Sequence, residues 1–110
     1  MNDFELPQEE EARKVASVIV DTISAYLQKP PYGGGCRAFY SQEQWQKRGE
    51  SYGREAALIV VHDGGDAAMF FNWDYECEEA AKMMDKALSA IGYWAESCTC
   101  WYTAIYRTKE

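Results

Sequence analysis

The chain has one histidine, His62, and no lysine or arginine between Arg54 and Lys82. A lone imidazole leaves few ways to build acid–base chemistry, because a catalytic histidine needs a reacting group and an orienting partner within hydrogen-bond reach. No Gly-x-Ser-x-Gly pattern supplies a nucleophile, and the hydroxyl residues are scattered. Long apolar runs are missing as well. The longest aliphatic run, Ala56 to Val61, has six residues and is too short to cross a bilayer. The opening residues, MNDFELPQEEE, are acidic and carry neither the basic start nor the apolar stretch of a secretory signal. A soluble cytoplasmic protein is the expectation, with Cys36, Cys77, Cys98 and Cys100 as reduced thiols.

The stretch without bases holds Glu55, Asp63, Asp66, Asp74, Glu76, Glu78 and Glu79, seven acids that match the net charge of −7. Such a field repels phosphate backbones, so nucleic acid is not the expected partner. It is either a solvated face that keeps the protein in solution or a docking surface for a basic partner.

Aromatic residues, by contrast, are plentiful: four Trp, eight Tyr and four Phe in 110 residues. A domain of this size cannot fully bury all of them, and Tyr and Trp carry polar atoms that need partners. The expected contact patch is Phe70, Phe71, Trp73, Tyr93, Trp94, Trp101 and Tyr102, flanked by Glu76 and Glu79. It would serve a homodimer or a partner protein. The competing reading packs these rings under the helices.

Residues 7 to 28 read as an amphipathic helix, with Val15, Val18, Ile19, Thr22, Ile23, Tyr26 and Leu27 on one stripe. Residues 1 to 6 are expected to be disordered, and the Pro/Gly-rich residues 29 to 38 to form a loop. Ser41 to Gln44 has the pattern of a capping box, opening a short helix that Gly49 closes. Ala57 to His62 reads as a strand. Asp63-Gly64-Gly65-Asp66 then reads as a tight turn returning through a second strand, Ala67 to Phe71. Asp74 is the expected N-cap of a helix whose stripe is Cys77, Ala81, Met84, Leu88 and Ile91, with Gly92 at its end. The tail reads as strand, turn and strand, with Cys100, Tyr102, Ala104 and Tyr106 on one face and Trp101, Thr103 and Ile105 on the other.

The fold class is therefore a single small α+β domain in the order α-α-β-β-α-β-β. Its sheet is antiparallel or mixed, of three to four strands, with helices packed on one face. No repeat or second domain is visible.

Two constellations invite a metal reading. His62, Asp63 and Asp66 cluster about the double glycine, but their spacing lacks the alternating acids of a calcium loop and fits a turn equally well. Cys98 and Cys100, two apart on a strand, would face one side and could share a zinc, although the spacing matches no zinc-ribbon or finger pattern. Tyr-Gly-Gly-Gly-Cys, at residues 32 to 36, lacks the Lys-Ser or Lys-Thr of a phosphate loop. Lys47, Arg48 and Arg54 beside Trp45 and Tyr52 read as paired surface residues. No cofactor is expected.

Several short patterns occur together between residues 39 and 106: Trp45, Arg48-Gly49-Glu50-x-Tyr52-Gly53, His62-Asp63-Gly64-Gly65 and Cys98-Thr99-x-Trp101-Tyr102. With these the chain resembles a family of small uncharacterised bacterial and phage proteins. The resemblance implies an accessory, phage-related gene product and carries no assigned activity, so it transfers no catalytic residue. The reading from sequence is a non-enzymatic protein–protein interaction module. The alternative is a metal- or small-ligand-binding protein, conceivably a hydrolase, centred on His62 to Asp66 with Cys98 and Cys100.

Overall fold

Apolar side chains spaced three and four apart from Ala12 to Ile23 share one side only of a helical backbone, and helix α1 (Glu10–Leu27) forms over them. Glu10 and Glu11 sit in its first turn, where the helix dipole favours negative charge. The computed structural model describes residues 5–31, 38–50, 52–62, 65–72, 77–99 and 101–108. Strand β1 (Phe39–Ser41) leads without a connecting residue into helix α2 (Gln42–Arg48). Ser41 serves both elements. Its hydroxyl accepts from the Gln44 N–H at 3.3 Å, while its own N–H donates to Gln44 Oε1 at 3.0 Å. Gly49, at φ +76°, closes α2 in the left-handed conformation that favours glycine.

Strand β2 (Leu58–Val61) follows, then helices α3 (Ala68–Phe71) and α4 (Glu78–Ala90), then strands β3 (Tyr93–Ser97) and β4 (Tyr102–Arg107). The four strands form one antiparallel sheet in the order β1-β2-β4-β3. The fold is α+β, as expected, with the elements in the order α-β-α-β-α-α-β-β.

Pairing register gives the two sheet faces different contents. Phe39 faces Val60, and Leu58 faces Ile105, on the side covered by α1, α3 and α4. There Val15, Ile19 and Ile23 of α1 meet Met84 and Leu88 of α4 above the strands, all of them buried. Each fully buried aliphatic side chain of this kind contributes roughly 1.5–3 kcal/mol. The other side carries Ile59, Tyr102 and Ala104, packed with Trp45 of α2. Helices thus cover one face, and a single short helix lies on the other.

Several expectations are corrected. Residues 67 to 71 do not form a return strand; residues 68 to 71 are helix α3. Both edges of β2 are already taken, by β1 and β4, so no ladder was open to them. Ala and Met are also better helix formers than strand formers. Strand β1, absent from the sequence reading, takes the place beside β2. The last helix begins at Glu78 with Cys77 as its N-cap, later than Asp74, which lies outside the described residues. Leu6, expected to be disordered, packs partly buried against the main core.

Candidate functional site

The chemistry-bearing residues divide between the two faces. His62 follows β2 directly and is 2% accessible. Its Nε2 lies 2.9 Å from the Thr103 hydroxyl, and its ring stacks on Phe71 at 5.7 Å. A ring held this way is part of the core. Asp66 bonds Lys29 at 3.0 Å, tying the end of α1 to the segment before α3. Asp63, Gly64 and Cys100 lie outside the described residues, as do Cys36, Trp73 and Glu76. Among the described residues, no three His, Cys, Asp or Glu side chains are grouped closely enough to hold a metal ion.

The cysteine pair was expected on one strand. The structure ends β3 at Ser97, so Cys98 lies just past the strand, and Cys100 is outside the described residues. Burial raises the Cys98 thiol above its ordinary pKa, which keeps it protonated at neutral pH. Cys77 is half-buried at the start of α4, with its Sγ 3.9 Å from the Tyr26 hydroxyl.

The expected contact patch is redistributed. Phe70, Phe71 and Tyr93 are buried under the helices, and Tyr102 is buried on the opposite face. Trp101 was placed with Thr103 and Ile105. It precedes β4 instead, and its ring meets Tyr102 at 4.4 Å and Trp45 at 6.3 Å. Trp94 is open, at 45% exposure, and Tyr52, which the sequence reading left out of the patch, reaches 62%. Glu79 is exposed on the first turn of α4. Of the acidic run, Asp66 is bonded to Lys29 and Glu78 and Glu79 begin α4, while Asp63, Asp74 and Glu76 lie outside the described residues.

What the structure does bring together is an aromatic sheet face. Trp45, fully buried, contacts Tyr102 at 4.8 Å and Tyr40 at 5.3 Å, and its indole N–H donates to the Tyr52 carbonyl at 2.8 Å. The Arg48 guanidinium lies 5.1 Å from the Trp45 ring centre and 5.3 Å from that of Tyr40, within cation–π range. Gln46 fastens the following loop by donating to the Arg54 carbonyl at 2.7 Å. Gly53, at φ +78°, brings the loop backbone down on the strands: a Cβ there would stand 2.7 Å from Ile59 Cδ1 and 3.4 Å from the Ala104 Cβ.

Towards β3 lies a second ring pair, Trp94 and Tyr106, with centres 5.2 Å apart on the cross-strand register. Burial, then the negative charge of Glu96, pushes the Tyr106 phenol above its ordinary pKa.

On the helix-covered side, Glu11 receives the Tyr93 hydroxyl and both the Nε and Nη2 groups of Arg107. The Arg107 bond holds the Glu11 carboxyl below its ordinary pKa. Tyr93 and Arg107 are cross-strand partners, so this cluster pins α1 to β3 and β4. At the other end of the β3–β4 ladder is a small cleft of about 70 Å³, lined by Phe70, Phe71, Asp85, Ser97 and Thr103 among others. Burial raises the Asp85 carboxyl above its ordinary pKa.

No helix among the described residues is long and apolar enough to cross a membrane. The chain matches no family model, no curated protein and no solved structure.

Proposed function

We propose that this protein is a non-enzymatic interaction module that docks a partner protein on its aromatic sheet face. One observation carries this reading. The sheet buries Leu58, Val60 and Ile105 under three helices, while the opposite face, covered by α2 and one loop, packs Trp and Tyr rings over Ile59 and Ala104, with Trp94 and Tyr52 left open. Tyr and Trp supply large, rigid contact area at low entropic cost, and they dominate the energy of protein interfaces. The resemblance to small bacterial and phage proteins fits an accessory effector of this kind. Cross-linking capture from cells of the native source tests it, comparing the wild-type protein with the Tyr52→Ser/Trp94→Ser double variant. A partner held by the wild type and lost by a folded double variant is the expected result. Identical capture by both would sink the reading.

A second reading, small-ligand binding, rests on the cleft at Asp85, Ser97 and Thr103, with His62 buried behind the threonine. Its volume suits only a very small polar molecule. Acetate and methylammonium titrations followed at the Ser97 and Thr103 amides would test it. An absence of shifts at millimolar concentration removes it.

A further inference from the structure

The two ends of the aromatic face differ in how they are supplied with charge. At the α2 end, the chain's own Arg48 lies over Tyr40 and Trp45, and its guanidinium also reaches Glu50 at 3.2 Å. Rings, cation and carboxylate are all present there. At the β3 end, the Trp94–Tyr106 pair has the rings, and Glu96, two residues along β3 and so on the same face as Trp94, has the carboxylate. Among the described residues Glu96 is in no salt bridge with a Lys or Arg. Trp94 is exposed, Tyr106 is half-buried, and β3 is an edge strand, so the rings can be approached from solvent.

An aromatic face attracts a cation through its quadrupole, and a nearby carboxylate strengthens that attraction. We infer that the Trp94–Tyr106 pair, with Glu96 beside it, is the seat for an arginine or lysine side chain of a basic partner polypeptide. This rests on the docking reading above and adds the partner's chemistry: a segment rich in Lys or Arg that repeats, from outside, what Arg48 does at the other end. The loop descending at Gly53 packs on Ile59 and Ala104, between the two ends, and keeps the two ring clusters apart.

The test is an NMR titration of the ¹⁵N-labelled protein with the peptide Gly-Arg-Arg-Arg-Gly, with Gly-Glu-Glu-Glu-Gly as the control. The Trp94 indole signal is assigned by its loss in Trp94→Phe. Shifts concentrated at Trp94, Glu96 and Tyr106 with the arginine peptide alone are expected, weakening as salt is added. Trp94→Ala and Glu96→Gln should each weaken binding roughly tenfold, while Glu43→Gln on α2 leaves it unchanged. Shifts spread evenly over all exposed acids, equal binding by Trp94→Ala, or no binding would each overturn the cation seat. Concentration-dependent shifts at Trp94 without peptide would also overturn it, by making a second copy of the chain the occupant. A partner lost by the Tyr52→Ser/Trp94→Ser variant while the peptide fails to bind would leave the docking face standing and remove only the cation seat.

Discussion

One sheet presents two faces made from alternate residues of the same strands, and they are built differently. The helix-covered face is filled with aliphatic side chains such as Leu58, Val60 and Ile105, closed over by α1 and α4. The other face has two buried rings at its centre, Trp45 and Tyr102, and leaves the rings of Tyr52 and Trp94 exposed. Aliphatic packing is non-directional and tolerates full enclosure. Tyrosine and tryptophan carry polar atoms that favour a surface with one side wet. The first face therefore holds the fold, and the second packs around Trp45 and Tyr102, leaving Tyr52 and Trp94 available for contact.

Substitutions on each face can break or sharpen this contrast. Trp45→Ala should cost most, about 3–5 kcal/mol in denaturant unfolding, since it empties the largest buried side chain of the aromatic side and leaves the Tyr52 carbonyl without its donor. Ile19→Ala, on the helix-covered side, should cost about 2–4 kcal/mol by the same measurement. Were Trp45→Ala the milder of the two, the aromatic face would be an appendage with little part in folding. Gly53→Ala should cost about 1–2 kcal/mol, because φ +78° is strained for alanine and the new methyl crowds Ile59. Trp94→Ala should change stability by less than about 1 kcal/mol. A larger loss would mean that the open end of the face is structural.

The smallest expected effect is pH-dependent. Arg107 depresses the Glu11 carboxyl, so the stability it adds is fully present above the ordinary carboxylate pKa and is lost as pH falls through the lowered one. The Tm advantage of wild type over Glu11→Gln should thus be largest at neutral pH and vanish in acid. An advantage that persists there would assign it to packing.

Local signals in the sequence located α1 and α2 well. The spacing of Val15, Ile19 and Ile23 placed α1, and Ser41 with Gln44 marked the start of α2, because a capping box is a contact between near neighbours. The strands were legible only in part. Strand β1 has three residues, too few for alternation to show, and it exists because Phe39 finds Val60 across twenty positions of chain. Residues 67 to 71 were misread for the same reason in reverse: a turn-like Asp-Gly-Gly-Asp suggested a return strand, while the edge it needed belongs to distant β4. The candidate face was half visible. Trp94 and Trp101 were named, yet Tyr52 was not, because its exposure follows from Trp45 gripping its carbonyl and leaving the ring outside. Phe70, Phe71 and Tyr93 were assigned to contact since composition cannot say which rings a helix will cover.

The serine shared by β1 and α2 makes that junction intolerant of length changes. With no spare residue to take up slack, inserting one amino acid after Ser41 would rotate the helix by about 100° relative to the strand. The indole of Trp45 would then swing off its ring neighbours and release the segment it clasps. A linker scan across positions 38 to 49 should accordingly show a sharp minimum in folded yield at this joint, and a homologue with an extra residue there would need a different anchor.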